Sequence, residues 1–401
     1  MKLRALPSFL SCGLLILFLC ASAPLLPAFD FGLILNQDAD YGGYGNDGSF
    51  TYSGSLIPRL SALLGDTGSL YISAVMEAAY DDEWTFAPEL LRTELSMYSG
   101  NLEFTAGRMY YSDPLGFIAQ GLFDGAQIAY DTEAGTFSAG AWYTGFLYKR
   151  RANITMTAED YERYAAALDF SDFKNTYFAP RRVVASLGWE HLGWPVKTRL
   201  SLLGQFDVSG GDELLHSQYL VGKITMPHNM FSFDLGGCLE LIQDDGESGT
   251  AFAAEAGIAF MPAARLPMKL SLLGCYSSAG EQAFLPLTTV NKGEIFKPKL
   301  SGLSFVSLDY IARLNRELSA GVTSTYFIRS DLETYSGYPL ADESDKGYFL
   351  GNEFFARLLW SPYSDLQINL GGGVFLPSMG NVEPKAEPYW QVKLNVVFSL
   401  Y

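Results

Sequence analysis

The sequence has few of the side chains that most catalytic and metal sites use. Its 401 residues include three histidines and four cysteines. His191, His216 and His228 stand in predicted turns or at strand edges, and none is expected to meet a serine or an acid as a nucleophilic site requires. We therefore predict no enzyme, no metal site and no cofactor.

Long apolar runs are also missing beyond the N-terminal region. After Phe29 no segment reaches roughly eighteen consecutive apolar residues, so no transmembrane helix is predicted there. The first residues are basic and then apolar up to Leu26, which is typical of a secretory signal peptide. We place that peptide at residues 1–28, with cleavage after Ala28. A lipoprotein acylated at Cys20 is a weaker alternative, because the preceding residue is not small.

Basic residues are scarce relative to acidic ones. The chain has 27 Lys and Arg against 44 Asp and Glu, and a formal net charge of −17. This balance argues against nucleic acid as a partner. Two cysteines remain after the signal peptide, Cys238 and Cys275. We expect them on strands that flank a third strand, about 10 Å apart, and therefore as free thiols.

What the sequence has in abundance is alternation of apolar and polar residues along spans of about ten residues. In residues 49–64, for example, Phe50, Leu56 and Leu60 alternate with polar residues. We predict eighteen such strands, and a sixteen-stranded sheet stays open because two of them are short. The strands are predicted at about 29–37, 49–64, 69–80, 88–98, 102–111, 126–131, 136–148, 181–190, 196–207, 217–226, 230–241, 251–260, 267–277, 304–314, 317–329, 349–360, 365–376 and 388–401.

Short turns alternate with long connections such as residues 149–180, 278–303 and 330–348. Outer-membrane barrels have this asymmetry. A soluble β-sandwich also has one polar face, but here that face carries full charges in mid-strand while the apolar face carries almost none. We predict an all-β, antiparallel, up-and-down transmembrane barrel over residues 29–401, in the bacterial outer membrane and in contact with its lipids.

The predicted lumen carries both signs of charge, and the acid excess lies in the loops. Residues 112–124 are our candidate for an inward constriction loop. Thr157, followed by Glu159 and Asp160, predicts one amphipathic helix in the long connection before Pro180. The candidate pore-lining residues are Arg92, Glu94, Arg108, Asp124, Arg199, Asp234, Glu240 and Arg357.

One local segment, residues 104–130, resembles the alginate-export family of outer-membrane porins. The resemblance is carried by Gly107-Arg108 and by Phe123-Asp124-Gly125. It implies an eighteen-stranded channel with Arg108 and Asp124 in the pore. Alternation, however, places Arg108 on the lipid face with Phe104, so either Gly107 hosts a bulge or Arg108 snorkels to the outer interface. We favour the bulge, and the family's substrate does not transfer.

The C-terminal strand resembles the signal that barrel assembly machinery reads. The residues concerned are Lys393, Asn395, Phe398, Leu400 and Tyr401. We expect this strand to pair with residues 29–37. The predicted function is passive diffusion of small hydrophilic solutes through a water-filled channel. The alternative is an adhesin or structural barrel whose acidic loops bind an external partner, and the sequence does not distinguish a monomer from a trimer.

Overall fold

A computed structural model describes residues 29–400, apart from residues 194, 211–213, 245, 281, 333–346 and 382–386. Its strands form one eighteen-stranded antiparallel sheet that closes through a β1–β18 pairing. The strands are β1 Phe29–Tyr44, β2 Ser49–Leu63, β3 Gly68–Asp81, β4 Glu83–Ser99, β5 Leu102–Ser112, β6 Gln120–Thr132, β7 Gly135–Tyr143, β8 Arg182–His191, β9 Lys197–Asp207, β10 Leu215–His228, β11 Phe231–Asp244, β12 Glu247–Phe260, β13 Met268–Ser277, β14 Leu303–Arg313, β15 Leu318–Arg329, β16 Phe349–Tyr363, β17 Leu366–Leu376 and β18 Tyr389–Leu400.

The predicted closed barrel of eighteen strands is confirmed, and the sixteen-stranded alternative is wrong. The two segments that seemed short are longer than predicted, because β1 has 16 residues and β6 has 13. The polar run after Asn36 suggested that β1 ends early. It continues as a strand because its polar side chains form hydrogen bonds with β18 inside the barrel.

The wall separates apolar from polar residues by the alternation of each strand. Leu187, Leu202 and Leu220 lie side by side on the outer face and are 58%, 54% and 54% exposed. An apolar outer band of this kind is what a lipid environment requires. Cys238 and Cys275 are both buried and free, as predicted from their separation by β12.

The connection between β7 and β8 contains the predicted helix. Three helices lie in it: α1 Lys149–Ala152, α2 Ala158–Ala165 and α3 Phe173–Thr176, with a 3-10 turn at Phe170–Asp172. A second 3-10 turn covers Pro377–Met379. Helix α2 begins at a capping box in which Thr157 and Asp160 each accept a hydrogen bond from the other's backbone N–H. In the described part of the chain, no helix is long and apolar enough to cross a membrane.

Three connections fold back against the inner face of the wall. We call residues 113–119 the first inner loop, residues 144–181 the second and residues 278–302 the third. Their apolar side chains form one buried cluster with inner-face residues of the strands. Phe117 of the first loop and Phe284 and Phe296 of the third are fully buried in it. The lumen is therefore narrowed from one side by the chain's own loops.

Candidate functional site

The first inner loop is organised around the carboxylate of its first residue, Asp113. One carboxylate oxygen accepts from the N–H groups of Leu115 and Gly116 at 2.8 and 3.0 Å. The other accepts from Ile118 and Ala119 at 2.9 and 3.0 Å. Because Asp113 is itself buried, these bonds satisfy a charge that water does not reach. The loop is thus a compact turn whose backbone N–H groups surround the Asp113 carboxylate.

The third inner loop is held by carboxylates of the wall. Glu353 on β16 accepts from the N–H groups of Glu294, Ile295 and Phe296 at 2.8, 2.9 and 2.7 Å. Glu240 on β11 accepts from the N–H of Leu285 at 2.8 Å. Charge-assisted bonds of this type are about twice as strong as neutral ones. Two distant strands therefore fix the two ends of this loop.

The inner loops also bind one another. The N–H of Thr288 donates to the carbonyl of Ile118 at 3.0 Å, and the Thr288 hydroxyl accepts from the N–H of Gln120 at 2.8 Å. The Lys292 ammonium lies 4.4 Å from the centre of the Phe117 ring. Burial lowers the pKa of Lys292. The first and third loops consequently form one continuous constriction.

Beside this constriction lies a cavity of about 450 Å³, which we call the lumen cavity. Charges of both signs line it: Asp38, Asp40, Glu294, Arg357 and Lys393. The Lys393 ammonium donates to the carbonyl of Glu294 at 2.7 Å and thereby ties β18 to the third inner loop. The cavity offers donors and acceptors on neighbouring strands, with Lys393 directly beside Asp40, and this suits polar solutes and ordered water.

Amides at the β1–β18 junction complete the polar wall of the lumen cavity. The Asn395 amide donates to Asn36 and to Asp38, both at 2.6 Å. It accepts from the Asn369 amide at 2.7 Å. Asn395 therefore links three neighbouring strands on the inner face.

The predicted pore-lining residues are spread over the wall rather than gathered in one ring. Arg92 pairs with Glu94 at 2.6 Å and lies 4.8 Å from the Tyr71 ring. Arg357 pairs with Asp309 at 2.7 Å and lines the lumen cavity. The others are engaged elsewhere: Arg199 with Glu190 at 3.3 Å, Asp234 with Thr225 at 2.5 Å, and Glu240, which is fully buried, with the third inner loop. Their role in conduction stays a prediction.

Arg108 and Asp124, taken from the family resemblance, lie within the wall. Arg108 is 5% exposed and binds Asp124 through two bonds of 2.8 Å. The expected bulge at Gly107 is wrong, because the pairing of β5 with both neighbours runs through Gly107 without a shift. Arg108 lies on the same face of β5 as Phe104, which is the outer face. Arg108 is shielded by carbonyl groups of Leu90 and Phe146 instead of being turned inward.

The sequence did not predict the anchoring roles of three buried ionic residues. Asp113 and Glu353 anchor the inner loops as described above. Arg182 is fully buried and pairs with Asp160 at 2.6 Å and Asp207 at 3.3 Å. The Asp-Pro-Leu-Gly turn sequence was a signal for Asp113, whereas no local pattern distinguishes Glu353 or Arg182. Within the described residues, no group of three or more His, Cys, Asp or Glu could hold a metal ion.

A closed eighteen-stranded antiparallel barrel with an apolar outer face and a partly filled polar lumen is the architecture of an outer-membrane β-barrel. Solved structures from Pseudomonas aeruginosa share it. OccK2 (OpdF) matches with a TM-score of 0.65 and 13% identity over 94% of this chain and 98% of that chain. OccD3 (OpdP) has a TM-score of 0.60 and 15% identity over 95% and 93%. The outer membrane protein OpdK has a TM-score of 0.63 and 12% identity over 94% and 100%.

The likeness at these identities concerns the fold. No protein-family model matches the sequence, and no curated protein matches it. The local resemblance to alginate-export porins thus has no family match behind it, and the structural likeness is to the Occ barrels. One of the matched structures is OccK2 in complex with glucuronate.

Proposed function

We propose that this protein is an outer-membrane channel for the passive diffusion of small hydrophilic solutes. The observation that carries the proposal is the lumen cavity, where charges of both signs lie on neighbouring strands beside the constriction. A wall built only to support external loops has no need of charged side chains on its inner face. Burying such charges without water or partners costs several kcal/mol, roughly, for each ion.

The size of the lumen cavity supports a small solute. At roughly 30 Å³ for each water, about 450 Å³ corresponds to on the order of fifteen water molecules. Glucuronate, which is bound in one OccK2 structure, is a small hydrophilic molecule. We infer that solutes of comparable size and polarity pass beside Arg357, Lys393 and Asp40, which lie in one row across the neighbouring strands β16 to β18 and β1.

Planar-bilayer recording of refolded protein tests the proposal. Heat-modifiable migration on a gel first establishes that the barrel is folded. We expect discrete ion currents, and we expect liposomes containing the protein to swell faster with small sugars than with larger ones. A folded barrel that carries no current would refute the open channel and leave the adhesin as the remaining reading of the fold.

Export and assembly belong to the same proposal. The signal peptide at residues 1–28 and Tyr401 lie outside the described residues. Lys393, Asn395, Phe398 and Leu400 belong to β18, which closes the barrel against β1. We propose that the assembly machinery reads this strand. N-terminal sequencing of mature protein tests the cleavage site after Ala28, and loss of heat-modifiable barrel on removing the last four residues tests the assembly signal.

A further inference from the structure

Two neighbouring strands of the wall separate part of the way along their length. The pairing between β4 and β5 extends from the turn at Ser99 and Leu102 to Thr93 and Arg108, and there it stops. Beyond that level β4 pairs only with β3, and β5 only with β6. Residues 89–92 of β4 and 109–112 of β5 therefore present facing edges with no ladder between them. We call this opening the side gap.

Three local features explain why the strands part at this level. The register of β3 with β4 shifts between Ser73 and Ala74, which leaves Leu91 as an extra residue that bends β4. Gly107 has φ of +115°, and a Cβ there would lie 1.7 Å from the Thr93 carbonyl oxygen, so only glycine fits. Pro88 has no N–H to offer a neighbouring strand. The gap is thus encoded by the sequence of both strands.

The side gap begins at a height where the wall faces lipid. Arg108 lies six residues beyond Leu102, which is about 20 Å along a strand and about 15 Å across a membrane at a tilt of about 40°. The apolar band of such barrels is about 25 Å tall. The gap therefore opens inside the outer part of that band, above the paired half of the wall.

Side chains of the wall and of the second inner loop fill the side gap. The Arg108 guanidinium donates to the Leu90 carbonyl of β4 at 2.5 Å and to the Phe146 carbonyl of the second inner loop at 3.0 Å. The Tyr177 hydroxyl donates to the Pro88 carbonyl at 2.8 Å. These bonds replace the missing ladder with side chains, which can rearrange without unzipping a sheet.

The two ends of the side gap differ in polarity. On the outer side Leu90, Tyr110 and Phe146 are 43%, 51% and 62% exposed. On the inner side Arg151, itself partly exposed, binds Glu89 at 3.1 Å and Glu77 at 3.4 Å. A molecule lying in the gap would thus have its polar end toward the lumen and its apolar end toward lipid.

We propose that the side gap is a lateral passage between the lumen and the outer leaflet for small amphiphiles with one polar group and one short apolar chain. The proposal rests on the proposed function, because the lumen must be open to such a molecule. The second inner loop acts as the closure, with Tyr177 and the Phe146 carbonyl as its contacts with the wall. Arg108 is the wall residue that binds the second inner loop, through the Phe146 carbonyl.

Photolabelling with a diazirine-bearing ten-carbon alkanoate tests the proposal in membrane-embedded, heat-modifiable protein. We expect labelling of β4 and β5 peptides near Leu90 and Tyr110 that unlabelled decanoate displaces. Outer-face peptides around Leu239 and Phe252, far from the gap, serve as the control for general lipid contact. Labelling near the gap that is no higher than at those peptides, or that decanoate does not displace, overturns the proposal.

Closing the gap provides the second arm. In a background of Cys238→Ala and Cys275→Ala, the pair Leu90→Cys and Tyr110→Cys is oxidised to join β4 to β5, and Leu90→Trp fills the gap sterically if no disulfide forms. We expect displaceable labelling to fall at least fivefold in the closed forms while ion conductance is unchanged. Unchanged labelling in both contradicts the lateral passage. Absence of current in every form, with labelling intact, contradicts the channel instead.

Discussion

The first and third inner loops reach the same constriction by opposite means. The first is wound on Asp113, a residue of the loop itself, which binds four of the loop's N–H groups. The third depends on Glu240 and Glu353, which belong to strands on different parts of the wall. The conformation of the first loop is held by hydrogen bonds within the loop, and that of the third loop is held by hydrogen bonds to the barrel wall. The first loop can therefore keep its conformation by itself, whereas the third loop depends on the folded barrel.

The largest expected effect comes from removing the acceptor on the wall. Glu353→Leu leaves the N–H groups of Glu294, Ile295 and Phe296 without their acceptor, at about 1–3 kcal/mol for each of the two buried residues, Ile295 and Phe296. We expect the third inner loop to leave the lumen and single-channel conductance to roughly double, since conduction follows the open cross-section. Glu353→Gln keeps one acceptor oxygen and serves as the matched control. Equal conductance in wild type and Glu353→Leu would show that the loop does not depend on this residue.

A smaller rise in conductance is expected from Asp113→Ala. The first inner loop is shorter, and contacts through Thr288 still hold its far end. Limited proteolysis of the folded barrel should cut within residues 113–119 in the variant but not in Asp113→Asn, which retains an acceptor. The candidate constriction loop at residues 112–124 needs correction here, because residue 112 belongs to β5 and residues 120–124 belong to β6. A deletion test should be confined to residues 114–119, and a deletion that leaves conductance unchanged argues against a constriction.

Glu240→Gln is expected to change conductance less than either variant. Its strand neighbour Tyr219 still donates to the Leu285 carbonyl at 2.7 Å, so this end of the third loop keeps a second attachment. Combining Glu240→Gln with Tyr219→Phe should release it and give an effect larger than the sum of the two. Simple additivity, measured as single-channel current, would indicate that the two contacts act independently.

The smallest effect is expected at the junction between the loops. Thr288→Val removes the hydroxyl that binds the N–H of Gln120, and one such bond contributes about 1 kcal/mol. We expect more frequent brief openings with an unchanged main conductance level. Thr289→Val, which removes the hydroxyl facing Thr155 of the second loop, is the control of equal size. A similar frequency of brief openings in both variants would mean that neither contact between the loops controls gating alone.

The sequence predicted the features that recur along the chain, such as the alternation of the strands. It did not predict contacts that occur once between distant segments. Alternation recurs in every strand, so the number of strands and their lipid-facing residues followed from it, and a capping box announced helix α2. The long connection before residue 303 was predicted only as an outer loop, because its apolar residues become informative when Glu353 is known to lie beside Phe296. Glu353 itself occupies an ordinary inward position on β16. Partners that lie 57 residues apart leave no periodic trace in either segment.

The amides at the β1–β18 junction have a consequence for how the barrel forms. Asn395 and Asn36 are separated by 359 residues, so their contact has nearly the greatest sequence separation that this chain allows. Contacts of such separation form late, because the entropy of closing the intervening chain must be overcome first. A slip of two residues keeps every side chain on its own face, yet it breaks the bonds of Asn395 with Asn36, Asp38 and Asn369. The amide hydrogen bonds form only in the native register of β18 with β1. They therefore select that register over shifted ones when the last strand pairing forms.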